Sequence, residues 1–398
     1  MARGYHFYLE MVDNLEAGRG IMRTLPYGHG DRHAIRTPLY PLCLATGRTL
    51  GLPDGWSIVL LGLLAGTTSV LLVGALAQQW WGRPAGRVAG WGAALWPHSV
   101  LHDTVLQDTA LYTALFLGFL LLVVRLRAAR VATPASGLGR QAALAGLLGG
   151  LAVLTRVALL PTVVVLTAWM VLPWPGPRRS GWWRPLVVTF AVLGLTLSPW
   201  LVRNHLRLGK PVLTSDTGRS LWLGNNPHTL SVYPNQSIDR AEERAWSAVP
   251  EVEQDVLEAR AEEELLADDW FRQRALAHLR AEPAAAVKRG LVKAWATFSP
   301  WRSPRGSTFV QVAHLVGYGG LLLLALATAW RWRARWLEVL LPVGLAMGLL
   351  ALQSAVFFGH SGYRAYLDLV LLAVAAGLLV RPEASTGLET AEAHEVVA

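Results

Sequence analysis

The chain has 398 residues, 53% of them hydrophobic and 16% charged, and its 36 Lys and Arg against 27 Asp and Glu give a formal net charge of +9. Soluble folds of that length carry more charge, so the composition points to a polytopic membrane protein. The basic excess does not suggest nucleic acid, because the arginines cluster in short loops between apolar runs, and the single cysteine, Cys43, excludes an intrachain disulfide, a Cys/His zinc pattern and a thiol redox motif.

Met1 to Arg36 lacks the apolar core of a signal peptide and mixes charge with aromatic residues. Apolar runs then follow at 57–79, 86–102, 107–125, 141–156, 158–174, 186–202, 308–330, 336–357 and 362–380, against the roughly 20 residues that a membrane-crossing helix needs. Arg83 and Arg87, then Arg125, Arg127, Arg130 and Arg140, then Arg178, Arg179 and Arg184, then Arg331, Arg333 and Arg335 fall in alternate loops, which the positive-inside rule places in the cytoplasm. Residues 1–55, the turn from His98 to Asp108, segment 203–307 and the turn from Gly359 to Tyr363 are then extracytoplasmic. An odd number of spans with an external N-terminus leaves Met1 to Gly55 to cross unaided, so a further helix upstream of Met1 is expected.

The predicted organisation is an all-α polytopic membrane protein with an extracytoplasmic mixed or helical domain. A first external loop with juxtamembrane helices (1–55) leads into a bundle of about six helices (56–202), the external domain (203–307), about three further helices (308–380) and a disordered cytoplasmic tail (381–398). Within 203–307 an irregular first part precedes two helices that Pro283 separates, and the acidic run Glu258 to Asp269 reads as the solvated face of one of them.

Several polar residues stand out. Pro199 is expected to break the sixth helix, Trp200 to suit the headgroup layer, and Arg203 with Asn204 to offer donors to a lipid phosphate. Asn225 and Asn226 follow Gly224 and either form a turn or hydrogen-bond sugar hydroxyls. Asp108 stands where an acid stabilises a helix N-terminus. His98, His102 and His360 are read as lacking metal-ligand spacing, so no metal is assigned, and no cofactor, a divalent metal being the lesser alternative.

Together the segments Tyr8 to Gly20, Arg36-Thr37-Pro38-Leu39-Tyr40-Pro41, Gly149 to Arg156, Ser198-Pro199-Trp200 with Arg203-Asn204, Ala275 to Trp295, and Tyr363-Arg364 with Asp368 resemble the GT-C glycosyltransferases. That broad family takes a sugar from a polyprenyl-phosphate donor and includes protein mannosyltransferases and lipid A aminoarabinose transferases. The resemblance implies a GT-C-like bundle in the cytoplasmic (inner) membrane with its active site on the extracytoplasmic side. It implies a lipid-phosphate sugar donor, a glycan, lipid or protein acceptor, and an inverting single displacement. Gly362, Tyr366 and Leu369 depart from the family's pattern. So does the start: the family's catalytic Asp stands about four residues before a tyrosine, and counting back from Tyr8 or Tyr5 reaches Gly4 or Met1.

Such a transfer needs a carboxylate to deprotonate the acceptor and cations to balance the leaving phosphate. The candidate bases are Glu10, Asp13, Asp31 and Asp108; the candidate phosphate or donor ligands are Arg36, Arg156, Arg203, Asn204 and Arg364; Tyr8, Asn225 and Asn226 are candidates for acceptor or sugar. A carrier or flippase for lipid-linked sugars would share the arginines without needing a base, and a catalytically inactive homologue is the other alternative.

Overall fold

The structure, a computed structural model, describes residues 5–24, 31–132, 135–170, 181–236, 238–259, 263–302 and 304–380. Gly4, Met1, Arg178, Arg179 and the tail 381–398 lie outside the described residues.

The chain opens with helix α1 (Phe7–Glu16), a short antiparallel pair β1 (Arg23–Thr24) and β2 (Asp31–Arg32) in which Arg23 faces Arg32, and helix α2 (Leu39–Thr49). A bundle follows: α3 (Asp54–Trp81), α4 (Arg83–Ala94), the one-face connector α5 (Pro97–Asp103), α6 (Thr109–Ala132), α7 (Gly139–Thr155), α8 (Leu160–Trp169) and α9 (Arg184–Leu208). Between 209 and 307 come α10 (Thr217–Gly224), α11 (Ile238–Ser247), α12 (Glu251–Ala259), α13 (Glu264–Ala281) and α14 (Pro283–Phe298). Helix α15 (Thr308–His314) runs through a widened turn into α16 (Gly320–Arg331), and α17 (Leu341–Val356) and α18 (Ala365–Ala375) complete the bundle.

Among the described residues, six segments are long and apolar enough to cross a membrane: Asp54–Trp81, Thr109–Ala129, Arg184–Leu208, Thr308–Arg331, Arg333–Val356 and Ser361–Leu379. The protein is thus an all-α polytopic membrane protein. Three of the expected runs are shorter helices, α4, α7 and α8, because Pro97 starts a new segment after α4 and the chain turns extended at Arg156 between α7 and α8. Helix α6 is the axis, with 83% of its apolar window inside the bundle, whereas α15 and α16 keep only 17% inside. Leu64, Leu71, Leu195 and Leu323 point outward around this bundle, the surface that lipid would cover.

The arginine loops meet at one end. Arg335 donates to the Trp80 carbonyl at 2.6 Å, Arg331 to the Val380 carbonyl at 3.0 Å and Arg127 to the Trp169 carbonyl at 2.5 Å. Each guanidinium thereby satisfies a helix-end carbonyl that has no partner within its own helix.

Pro199 does not break its helix. Helix α9 continues through it to Leu208 and ends at Gly209, whose φ of 75° suits the left-handed turn that stops a helix. Trp200 is accordingly not a headgroup residue: it is buried, and its Nε1 donates to the Leu213 carbonyl at 2.9 Å. Between 209 and 307 the described residues form helices α10 to α14 with irregular stretches at 209–216 and 225–236, and the only strands among the described residues are β1 and β2. This segment has its own small core, in which Trp222, Trp246 and Phe271 pack together, with 5.1 Å between the Trp222 and Phe271 rings.

Lys293 on α14 ties this segment to the bundle. Its buried ammonium donates to the carbonyls of Gly224 at 2.9 Å and Phe357 at 3.0 Å, and to Asn225 Oδ1 at 3.0 Å. Burial, with Arg289 behind it, pulls the amine down to about 8, so it still donates at neutral pH. At Gly224 a Cβ would lie 1.5 Å from the Phe357 carbonyl oxygen, so this joint admits no side chain.

Gly224→Ala is therefore expected to cost about 1–3 kcal/mol by overpacking and to lower the thermal unfolding temperature of the detergent-solubilised protein. Gly194→Ala in α9, where nothing lies within 4 Å, is expected to be neutral or to stabilise by at most about 1 kcal/mol.

Candidate active site

At the end of the bundle opposite the arginine loops, the turn into α6 carries Asp108. The Asp108 carbonyl accepts from Tyr112 N–H at 3.1 Å and so starts the helix, yet its carboxylate does not cap it. The residue is 3% exposed; Oδ2 lies 3.7 Å from Arg156 Nε, and Oδ1 is buried with no hydrogen-bond partner among the described residues. An acid oxygen left open in a buried place is costly unless something arrives to use it.

Arg156 comes from the extended break between α7 and α8. Its guanidinium lies 5.0 Å from the Tyr112 ring centre and 5.5 Å from that of Tyr363, cation–π distances for a group that pairs with one carboxylate among the described residues. The N-terminal segment closes over this pair. Tyr5 N–H donates to the Leu106 carbonyl at 2.9 Å, and Tyr5, Phe7, Tyr8 and Tyr40 pack in series, with 4.5 Å between Phe7 and Tyr8 and 4.7 Å between Tyr8 and Tyr40. Burial first and the Asp108 charge second push the Tyr8 hydroxyl well above its ordinary range, against the opposing charges of Arg36 and Arg156. Tyr8 therefore keeps its proton and remains a donor.

Arg36 reaches across from the other side of Tyr8. Its Nη1 pairs with Asp216 Oδ2 at 2.6 Å, Asp216 Oδ1 lies 3.3 Å from Arg219, and Arg219 in turn pairs with Glu242. Burial alone would raise the Asp216 carboxyl, but Arg36 and Arg219 outweigh it and hold it below the usual carboxylate range. Helix α13 fixes both partners in place. Glu264 accepts from His33 N–H at 2.8 Å, Ala34 N–H at 2.9 Å and the Ser215 hydroxyl; one turn later Asp268 accepts from Gly218 N–H at 2.7 Å and Arg219 N–H at 3.1 Å.

Asp108, Arg156, Tyr8 and Arg36 are thus brought together, and the other sequence candidates are placed elsewhere. Glu10 accepts from Thr24 N–H at 2.8 Å, Asp31 from the Thr24 hydroxyl at 2.9 Å, and Asp13 pairs with Arg48 at 2.6 Å on the surface. Arg203 donates to the His33 carbonyl at 2.6 Å, to Asn204 Oδ1 at 2.8 Å and to the Ile21 carbonyl at 3.2 Å, while Asn204 is buried and donates to the Val212 carbonyl at 2.7 Å. Arg364 is wholly enclosed, bonded to Asp368, the Thr297 carbonyl and His314. Asn225 and Asn226 form the turn: their amides donate to Leu221, Val356 and Trp222 carbonyls.

The histidines correct the reading that they lack metal-ligand spacing, since two of them stand at i and i+4. His98 and His102 stand four residues apart, on one side of α5, with their Nε2 atoms 3.2 Å apart; His98 Nδ1 lies 3.1 Å from Asp368 and His102 Nδ1 lies 2.9 Å from Gln107. Among the described residues, no group of three or more His, Cys, Asp or Glu side chains is arranged to hold a metal ion.

Asp216, Arg219 and Glu242 escape the sequence reading; Glu264, read as part of a solvated helix face, is instead buried and accepts three hydrogen bonds, and Lys293, quoted only within the stretch Ala275 to Trp295, was given no role. Only the Asp216–Arg219 pair leaves a local signal, an acid and a base three residues apart at a helix start.

No protein-family model matches the chain, and no curated protein matches it. Solved structures do. An Archaeoglobus fulgidus oligosaccharyltransferase, tethered with an acceptor peptide containing the NVT sequon, matches with a TM-score of 0.55 at 13% identity over 94% of this chain and 45% of that one. The archaeal oligosaccharyltransferase AglB of the same organism, in complex with an inhibitory peptide and a dolichol-phosphate, gives 0.52 at 14% over 93% and 45%. ArnT from Cupriavidus metallidurans bound to undecaprenyl phosphate gives 0.43 at 15% over 96% and 74%. The chain spans about half the length of the oligosaccharyltransferases it matches, and at these identities the likeness is one of fold, a polytopic helical bundle.

Glu264→Gln is expected to destabilise the protein by about 3 kcal/mol, because an amide cannot accept from all three donors that the carboxylate serves. The check is thermal unfolding together with limited proteolysis, which should now cut between α1 and α2 under native conditions.

Proposed function

We propose that the protein is a membrane glycosyltransferase that moves a sugar from a polyprenyl-phosphate donor to an acceptor on the extracytoplasmic face of the cytoplasmic membrane. The observation that carries this reading is Asp108: a buried carboxylate with one oxygen open and one beside an arginine, at the end of an apolar bundle. The fold supports it, since the oligosaccharyltransferases it resembles were solved with an acceptor peptide and with dolichol-phosphate.

In this reading the open Oδ1 of Asp108 takes the proton of the acceptor's nucleophilic group as that group bonds to the sugar's anomeric carbon. The bond from that carbon to the phosphate oxygen breaks, and its electron pair leaves with the phosphate. Arg156 faces the growing negative charge, and its planar fork with fixed charge suits phosphate oxygens. Tyr8, still protonated, donates at the same place, and Arg36 holds the segment that carries Tyr8 by pairing with Asp216. The lipid tail would run along the apolar bundle that the six long helices form. The segments 1–55 and 203–307 would stand outside the membrane, over the site.

A carrier for lipid-linked sugars needs no proton acceptor at this position. Purified protein in liposomes, supplied with a labelled polyprenyl-phosphate sugar and membrane-extracted acceptors, is expected to lose transfer by about 10²–10⁴-fold in Asp108→Asn, with Asp13→Asn unchanged. Unaltered transfer in Asp108→Asn would overturn the assignment.

A further inference from the structure

Among the described residues, a cation near the site, Arg23, has no carboxylate paired with it. Arg23, at the end of β1, places its guanidinium 4.2 Å from the ring centre of Phe7, and the guanidinium of Arg36 lies 5.5 Å from the centre of the same ring. Arg36 is neutralised by Asp216 at 2.6 Å. Arg23 has no carboxylate paired with it among the described residues, and its Nε is buried without a hydrogen-bond partner among them. The two acids close enough to favour its charge are already in use: Glu10 accepts from Thr24 N–H, and Asp216 is shared by Arg36 and Arg219. Burial, then the charges of Arg36 and Arg219, pull Arg23 below the ordinary guanidinium range.

Like charges gathered around one aromatic ring repel, and a half-buried guanidinium with an unsatisfied N–H adds a desolvation cost. An oxyanion removes both penalties at once, because a guanidinium edge binds phosphate or carboxylate oxygens in a two-point fork. We propose that Arg23, with Arg36 beside the same Phe7 ring, forms an anion-binding subsite for a phosphate or carboxylate group, separate from the Asp108–Arg156 pair. This goes beyond the transfer reading, since it is a binding site whether or not Asp108 acts as a base. The anion comes either from a water-soluble portion of an acceptor or from the headgroup of a lipid phosphate.

The test is binding of two probes, inorganic phosphate and undecaprenyl phosphate, to the full chain in nanodiscs, read by intrinsic tryptophan fluorescence. Arg23→Gln is expected to weaken inorganic phosphate about tenfold, the loss of roughly one charge-assisted contact. If undecaprenyl phosphate binding stays unchanged in that variant, the site serves the acceptor's anion; if it weakens in parallel, the site holds the lipid headgroup. Unchanged affinity for inorganic phosphate in Arg23→Gln overturns the proposal. Arg19→Gln removes a neighbouring cation whose Nε is already bonded to Asn14 at 2.8 Å, and an equal loss there would also overturn it, since the effect would then be one of bulk charge. Arg23→Lys, which keeps the charge and loses the fork, is expected to bind with intermediate affinity at an unchanged unfolding temperature. It keeps the test open should the glutamine variant fail to fold.

Discussion

The ion pair between Arg36 and Asp216 spans 180 residues of sequence and joins the N-terminal segment to the start of α10. Asp216 is nearly enclosed, so an unpaired charge there would be costly; removing one partner of a buried pair costs about 3–5 kcal/mol. Because the carboxylate must be answered in place, Arg36 is fixed, and with it the Phe7 and Tyr8 rings that its chain segment brings over Asp108. Helix α13 locks both ends of the pair, through Glu264 on the 33–34 turn and Asp268 on the first turn of α10. The position of Asp108 at the end of a membrane bundle thus rests on acids supplied by a helix far along the chain.

The cations divide by whether their hydrogen bonds are spoken for. Arg203, Arg364 and Lys293 each meet several carbonyl or side-chain oxygens and hold segments together. Arg156 meets one carboxylate at 3.7 Å and two aromatic rings, a looser setting than theirs. The distinction follows from desolvation: a buried guanidinium with all donors bonded is structural mortar, and one with donors to spare has been left so at a cost. The family's expected acid, counted back from Tyr8 or Tyr5, falls on Gly4 or Met1, outside the described residues. Asp108 is the enclosed carboxylate that the fold sets beside Tyr8 and Arg156.

Much of the architecture was legible because hydropathy and loop charge are local. The apolar runs, the gathering of Arg127, Arg331 and Arg335 at one bundle end, and the break between α13 and α14 at Pro283 follow from composition over short windows. The end of α9 was misread, since a proline in a long apolar helix costs one backbone bond and the surrounding packing can absorb it. The site was only half legible. Asp108, Arg156, Tyr8 and Arg36 were visible as polar residue types beside the apolar runs, but their convergence depends on Asp216 and Glu264, which lie 180 and 230 residues from their partners. The same blindness made Arg203 look free: nothing in its neighbourhood in sequence announces the carbonyls of Ile21 and His33. His98 and His102 were a missed local signal, four residues apart on α5.

The most direct test of the central claim is a cryo-EM structure of the full chain in nanodiscs with undecaprenyl phosphate. The account predicts phosphate density within hydrogen-bond reach of Arg156, beside Asp108, with the lipid tail along the apolar bundle. Phosphate density at the other end, among Arg331 and Arg335 near the Trp80 carbonyl, would contradict it.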